Sequence, residues 1–228
     1  MNWAIFSPAT WSHSRTLCFP VSIERSLTTL REAEVCQGLT TRLEAVWLLA
    51  GSAGATVAVQ RFFASFRRRP PVAFLYAQHY DPARQEQLRQ LTCASDLFQM
   101  ELIQQRHTLR PGAVLIVPPR CRVGFSAGDV FAEPHSGWGA GHTPDIDELA
   151  IIFAAAALPA RGLILFSGMG NDGAGSLDVL DTTGCRMWVQ EPASAVCRGI
   201  PEAALASGLI HRSASPELLA SALEQLYE

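Results

Sequence analysis

The sequence predicts an α/β fold, a doubly wound and mostly parallel sheet flanked by helices, with an antiparallel hairpin at one edge. Three observations carry this reading. Short apolar runs without polar alternation recur along the chain, as strands buried on both faces require. Helix-length segments separate them, and strands alternating with helices build a parallel sheet through right-handed crossovers. One pair of strand-like segments, 121–125 and 129–133, is joined only by Ser126-Ala127-Gly128. That link is too short for a crossover and reads as a hairpin.

The elements follow in order. Residues 1–44 carry apolar side chains without a clear period and read as an N-terminal extension, with a helix over 22–36 placing Leu27, Leu30 and Val35 on one side. The domain proper is expected over 45–228. Val46–Ala50 is an apolar run that stops at Gly51, and Gly51-Ser52-Ala53-Gly54 opens a helix to Phe66, which Pro70-Pro71 ends. Val72–Ala77 is a second strand ending at Gln78-His79. A helix over 82–91, a strand over Phe98–Ile103 and a strand over Ala113–Val117 come next, the last one set off by Leu109-Arg110-Pro111-Gly112 and stopped by Pro118-Pro119. After the hairpin, residues 134–146 are rich in Gly, Pro and His and read as a loop. An Ala-rich helix over Asp147–Leu158, a strand over Leu163–Phe166, the Gly-rich segment 167–173, a helix over 174–182, a strand over Cys185–Val189 and helices near 201–206 and 216–227 complete the chain.

Composition narrows the function. With 228 residues, 48% hydrophobic and 17% charged, the chain has ample core for one such domain and no long disordered tract. A net charge of -3 gives no electrostatic case for nucleic acid. All 18 basic residues are arginine, so Schiff-base or P-loop lysine chemistry is excluded. The six cysteines form no CxxC pair and read as free thiols in a reducing compartment. No signal peptide and no membrane span are evident, so a cytoplasmic protein is expected.

Three strand ends carry unusual chemistry, and in open α/β sheets ligands bind outside the carboxyl ends of the strands. Ser52 sits in a Gly-flanked strand-to-helix turn. Such a turn exposes a nucleophilic hydroxyl, but serine is equally a preferred helix N-cap. A phosphate-binding turn is a third option, although GSAGA matches neither the P-loop nor the GxGxxG pattern. His79 follows an apolar strand as a general base would, or as any histidine on a connecting loop would. Asp172 lies in Gly168-Met169-Gly170-Asn171-Asp172-Gly173, where it orients an imidazole or caps the helix at 174–182. His135 and His142 share a loop and form a weak metal-site candidate. Arg67-Arg68-Arg69 reads as a solvated helix end or as a contact for an acidic partner.

These segments resemble the catalytic domain of the chemotaxis protein-glutamate methylesterase (CheB) family. The resemblance rests on Gly51-Ser52-Ala53-Gly54-Ala55 against the family's GASTGG turn, on Gln78-His79, and above all on Ser167 through Ala174 against TGMGNDGA. Weaker matches run in the same order. They are Leu109 to Pro118 for LRPG and VAP, Pro144-Asp145-Ile146-Asp147 for PSVD, Gln190 to Ser194 for QDEAS, and Gly199-Ile200-Pro201 for GMP. Together they cover 46–228.

The resemblance implies a carboxyl-ester hydrolase that removes methyl from glutamyl esters on chemoreceptor helices, with glutamine deamidation as a further option. It implies Ser52 as nucleophile, His79 as general base and acid, Asp172 as the orienting carboxylate and the Met169 amide as an oxyanion donor. No metal or organic cofactor is implied. The sequence also departs from the family. Ala53 stands where the family has a threonine whose hydroxyl would brace the histidine, Ala55 replaces a glycine, and Asp145 adds a negative charge near the site. Residues 1–44 are too short for the receiver domain usual in full-length members and lack its acidic pocket. Two rivals follow: a non-catalytic domain that binds a receptor or chemosensory partner, and a hydrolase for a different ester.

Overall fold

The structure is a computed structural model that describes residues 42–79, 96–139 and 143–228. The helices expected over 22–36 and 82–91, residues 1–41 of the extension and His142 lie outside the described residues.

Seven strands form one sheet in the order β10-β9-β8-β1-β2-β5-β3. They are β1 (Ala45–Gly51), β2 (Val72–Gln78), β3 (Gln99–Leu102), β5 (Ala113–Ile116), β8 (Arg161–Leu165), β9 (Arg186–Gln190) and β10 (Arg212–Ala214). Every pairing in this sheet is parallel. β1 lies at the centre, with all seven residues buried, because its run Ala45–Gly51 can face helices on both sides. The remaining strands, β4 (Arg106–Thr108), β6 (Val123–Ser126) and β7 (Asp129–Ala132), form a separate antiparallel sheet in the order β4-β7-β6. The expected hairpin is therefore present as β6–β7, but it pairs with β4 and is not added to the edge of the main sheet. Its two-residue link, Ala127 and Gly128, has φ of 51° and 85°. Positive φ at both positions matches the twist a tight hairpin needs.

Alternation along β1 sends successive side chains to opposite layers. Val46, Leu48 and Ala50 pack with α2 (Ile146–Ala155), α3 (Leu177–Thr182) and α4 (Gly199–Ala206) through Ile146, Leu149, Phe153, Leu180 and Ile200. Trp47 and Leu49 pack with α1 (Ala55–Ala64) and α5 (Pro216–Leu226) through Val59, Phe62, Phe63, Leu219 and Leu223. On this second side Phe62, Phe63, Phe66, Phe74 and Phe98 meet largely edge to face, at centroid separations such as 5.2 Å for Phe63–Phe74. Such pairs add about 0.5–1.5 kcal/mol each beyond simple burial. Trp47 donates from Nε1 to the Tyr227 hydroxyl at 3.0 Å, tying the central strand to the end of the chain.

The arginine run falls at this end of the molecule. The amides of Arg67 and Arg68 donate to Glu224, the Arg68 side chain pairs with Glu228, and Arg69 donates to the Leu97 carbonyl. Of the two readings of the run, the helix-end reading is the one these local partners support.

Candidate active site

Chain order reverses about β1: β2 lies on one side and β8 on the other. A doubly wound sheet opens a crevice at such a point, at the carboxyl ends of the strands. Ser52 follows β1, His79 follows β2, and the segment 166–173 follows β8. The three positions singled out from sequence thus meet at one crevice.

The turn that carries Ser52 is built by hydrogen bonds that leave its backbone little freedom. The Ser52 amide donates to the Ser167 carbonyl at 2.9 Å, and the Ala55 amide donates to the Ser52 carbonyl at 3.0 Å. Gly54 has φ of 84°, a left-handed conformation that favours glycine, and it precedes the first residue of α1. Gly54, and not Ser52, therefore occupies the N-cap position, and no side chain caps this helix. The helix-cap alternative for Ser52 is overturned, and α1 runs from Ala55 to Ala64, beginning where the turn ends and stopping two residues before the expected Phe66.

His79 joins the other two residues. Its Nδ1 lies 3.2 Å from Ser52 Oγ and its Nε2 lies 2.5 Å from Asp172 Oδ2. The His79 and Asp172 side chains keep 13% and 16% of their surface exposed, so they are shielded from bulk water yet reachable. Asp172 accepts two further bonds, from the Ile146 amide to Oδ2 and from the Asp147 amide to Oδ1, both at 3.0 Å. These are the first amides of α2, whose positive dipole end favours a carboxylate. Asp172 does cap a helix, but it is α2 and not the helix expected at 174–182. Asp172 serves α2, while the N-cap of α3 is Ser176.

Electrostatics separates the neighbouring acids. Burial alone would raise the Asp172 carboxyl, but the hydrogen bonds from His79, Ile146 and Asp147 outweigh it and hold it below the usual carboxylate range. Burial pushes the Asp147 carboxyl up, and the nearby Asp172 charge adds to this against hydrogen bonds from Ser176 and Gly173. Asp145 accepts from the Glu148 amide at 2.8 Å as the N-cap of α2. The charge that looks out of place in the sequence thus has a local helical role.

The 167–171 loop is pressed close to the rest of the site. The Gly168 amide donates to the Cys197 carbonyl at 3.1 Å, whereas the Met169 amide finds no acceptor among the described residues. A Cβ at Gly199 would stand 2.8 Å from both the amide nitrogen and the carbonyl oxygen of Gly170, so only glycine lets α4 approach this loop. Met169 and Val196 are exposed beside the crevice. Thr56 does not stand in for the hydroxyl missing at Ala53, because it donates to Gln78 Oε1 at 2.7 Å. The metal alternative rests on His135 and on His142, which lies outside the described residues; among the described residues no group of three or more His, Cys, Asp or Glu side chains is arranged to hold an ion. No helix among them is long and apolar enough to cross a membrane.

Sequence reasoning did not single out Ser167 and Gln190. Both are buried polar residues in contact with the Ser52 turn or its supporting loop. Polar residues at the ends of otherwise apolar strands are the signal that points to them.

Comparison with known proteins bears on the family and the fold. The family model for the CheB methylesterase matches residues 47–223. Protein-glutamate methylesterase/protein-glutamine glutaminase 3 of Anaeromyxobacter dehalogenans is 31% identical over 180 residues, which is 77% of this chain and 52% of that protein. A protein of the same description, numbered 2, from Syntrophomonas wolfei is 27% identical over 86% of this chain and 60% of its own length. The chain therefore spans about half the length of the curated relatives it matches. The crystal structure of the Thermotoga maritima CheB methylesterase catalytic domain superposes with a TM-score of 0.70 at 18% identity, over 79% of this chain and 97% of that one. At that identity the likeness concerns the fold.

Proposed function

The chain belongs to the CheB methylesterase family, and from that membership we propose that it is a protein-glutamate methylesterase working through Ser52, His79 and Asp172. Its substrate in this reading is a glutamyl methyl ester on the cytoplasmic helices of a chemoreceptor, with the amide of glutamine as a second substrate, and the protein works in the cytoplasm. The relatives' names, protein-glutamate methylesterase and protein-glutamine glutaminase, support both substrates.

The observation that carries the reading is the relay from Ser52 Oγ through His79 to Asp172, with separations of 3.2 and 2.5 Å. It dictates the tautomer. Asp172 accepts, so Nε2 carries the proton, and Nδ1 is left with its lone pair toward Ser52. His79 Nδ1 takes the hydroxyl proton as Ser52 Oγ attacks the ester carbonyl. The Asp172 carboxylate stabilises the imidazolium that forms. The Met169 amide is suited to the oxyanion because no internal acceptor competes for it. Nδ1 then returns its proton to the departing methoxide, and methanol leaves. A water deprotonated by the same Nδ1 attacks the acyl-enzyme, the bond to Ser52 Oγ breaks, and Nδ1 returns the proton to Oγ as the glutamate is freed. With glutamine, ammonia is the leaving group.

A serine-directed fluorophosphonate tests this most directly. Labelling of the wild type that is lost in Ser52→Ala supports the reading, together with methanol release from a methylated receptor fragment. If wild type and Ser52→Ala both bind that fragment and neither releases methanol, the domain is a binding module.

A further inference from the structure

We propose that the Ser167 hydroxyl is a positioning group for the nucleophile turn, holding Ser52 in its reactive geometry through the Ala53 carbonyl; this rests on the esterase reading above. Ser167 is fully buried two residues past the end of β8. Its hydroxyl donates to the Ala53 carbonyl at 2.7 Å and accepts from the Cys197 amide at 2.9 Å. The Cys197 carbonyl, at 3.3 Å, is the poorer acceptor for its single proton. Its own carbonyl receives the Ser52 amide at 2.9 Å. One residue thus holds the peptide unit that precedes the nucleophile, the Ala53–Gly54 peptide one residue beyond it, and the loop that leads into α4.

The rest of the residue is anchored in turn. The Ser167 amide donates to Gln190 Oε1 at 2.9 Å, and Gln190, also buried, donates from Nε2 to the Ser194 carbonyl at 3.0 Å. Three loops from β1, β8 and β9 are therefore linked through one satisfied polar network, and such networks specify a single arrangement. The tether also sets a peptide orientation. The carbonyl and N–H of a trans peptide point opposite ways, so drawing the Ala53 carbonyl toward Ser167 turns the Gly54 N–H away from it. The tether leaves Gly54 no room either, since a Cβ there would lie 2.7 Å from Ser167 Oγ.

Glycine beside the serine lets the turn bend, and that freedom has to be removed for Oγ to stay aligned with Nδ1. Small misplacements of a reacting atom cost rate without costing binding. The effect of losing the tether should therefore fall on kcat and leave KM alone.

The experiment compares wild type, Ser167→Ala, Ser167→Cys and Ser167→Thr, with turnover expressed per active site titrated by a fluorophosphonate. Ser167→Ala and Ser167→Cys should each lose about tenfold or more in kcat with KM within about twofold, roughly one hydrogen bond's worth of alignment. Ser167→Thr, which keeps the hydroxyl, should restore most of it. If kcat per titrated site is unchanged in Ser167→Ala and Ser167→Cys, or if threonine does not rescue, the positioning role is wrong. Hydrogen exchange supplies a readout that does not need activity: the Ser52 and Cys197 amides should exchange faster in Ser167→Ala and return toward wild type in Ser167→Thr, and unchanged exchange overturns the proposal. A wild type that is neither labelled nor active, while these amides respond as stated, would instead overturn the esterase reading and leave the tether standing as a structural link only.

Discussion

Replacing Asp172 with asparagine discriminates best between the proposed relay and any other role for this carboxylate. Asp172 accepts three hydrogen bonds: His79 Nε2 and the Ile146 amide at Oδ2, and the Asp147 amide at Oδ1. Asparagine has one acceptor and one donor end, so it cannot reproduce them. With its oxygen at the Oδ2 position, it keeps two bonds but points N–H groups at the Asp147 amide and removes the charge opposite the imidazolium. With its amide nitrogen there, it forces Nε2 to accept, moves the imidazole proton to Nδ1 and leaves Ser52 without a base. A bond to a charged group is worth about 1.5–3 kcal/mol, and the wrong tautomer in a serine triad costs up to ~10⁴ in rate. Turnover of Asp172→Asn should therefore fall by ~10²–10⁴, and stability by about 1.5–3 kcal/mol because α2 loses part of its cap. Methanol release from a methylated receptor fragment measures the first, and urea unfolding the second. Turnover within about fivefold of wild type would refute the relay, with Asp147 the next acid to test.

Ser52→Ala and His79→Ala should each reduce methanol release to near background, and the double variant should be no worse, because the two groups act as a unit. The two neighbouring acids should tilt stability in opposite directions with pH. Asp172 is held low, so its stabilisation is present above the unfolded value near 3.9 and is lost as pH falls through the folded one. Asp147 is raised, so its ionisation costs stability as pH rises through its folded value. Urea midpoints followed down the acid limb should fall less steeply in Asp172→Asn and more steeply in Asp147→Asn than in wild type. Ala53→Thr restores the hydroxyl that sequence comparison finds missing and should raise kcat by no more than about tenfold, one hydrogen bond of roughly 1 kcal/mol. Gly199→Ala should push the 168–171 loop outward and lower kcat more than it lowers the urea midpoint, since the added Cβ meets Gly170 backbone at 2.8 Å.

The parallel core was legible because burial on both faces leaves a plain mark, as in Ala45–Gly51 and Val72–Gln78. β4 and β10 were not. Arg106–Thr108 and Arg212–Ala214 are three residues each, largely exposed, and owe their place to backbone pairing with β7 and β9. Missing β4 is also why the hairpin was assigned to the main sheet. At the site, the strand ends mark Ser52, His79 and Asp172 as candidates and the match of 167–174 to the family's motif implies their roles, but the second partner of Asp172 is not legible. The helix it caps begins at Ile146, 26 positions earlier in the chain, and local patterns register only the helix that follows. Ser167 and Gln190 are hidden for a similar reason: Ala53 and Cys197 reach Ser167, and Ser167 reaches Gln190, only once the strands are ordered.

The double duty of Asp172 bears on how activity would be lost from such a domain over time. A descendant that kept only a binding role would be under no catalytic demand to keep Ser52 or His79. It would not be equally free at Asp172, where the amides of Ile146 and Asp147 would be left without their acceptor. Retention of this aspartate therefore says little about whether a relative is still an enzyme, and the serine and histidine are the positions at which a silent copy would first declare itself.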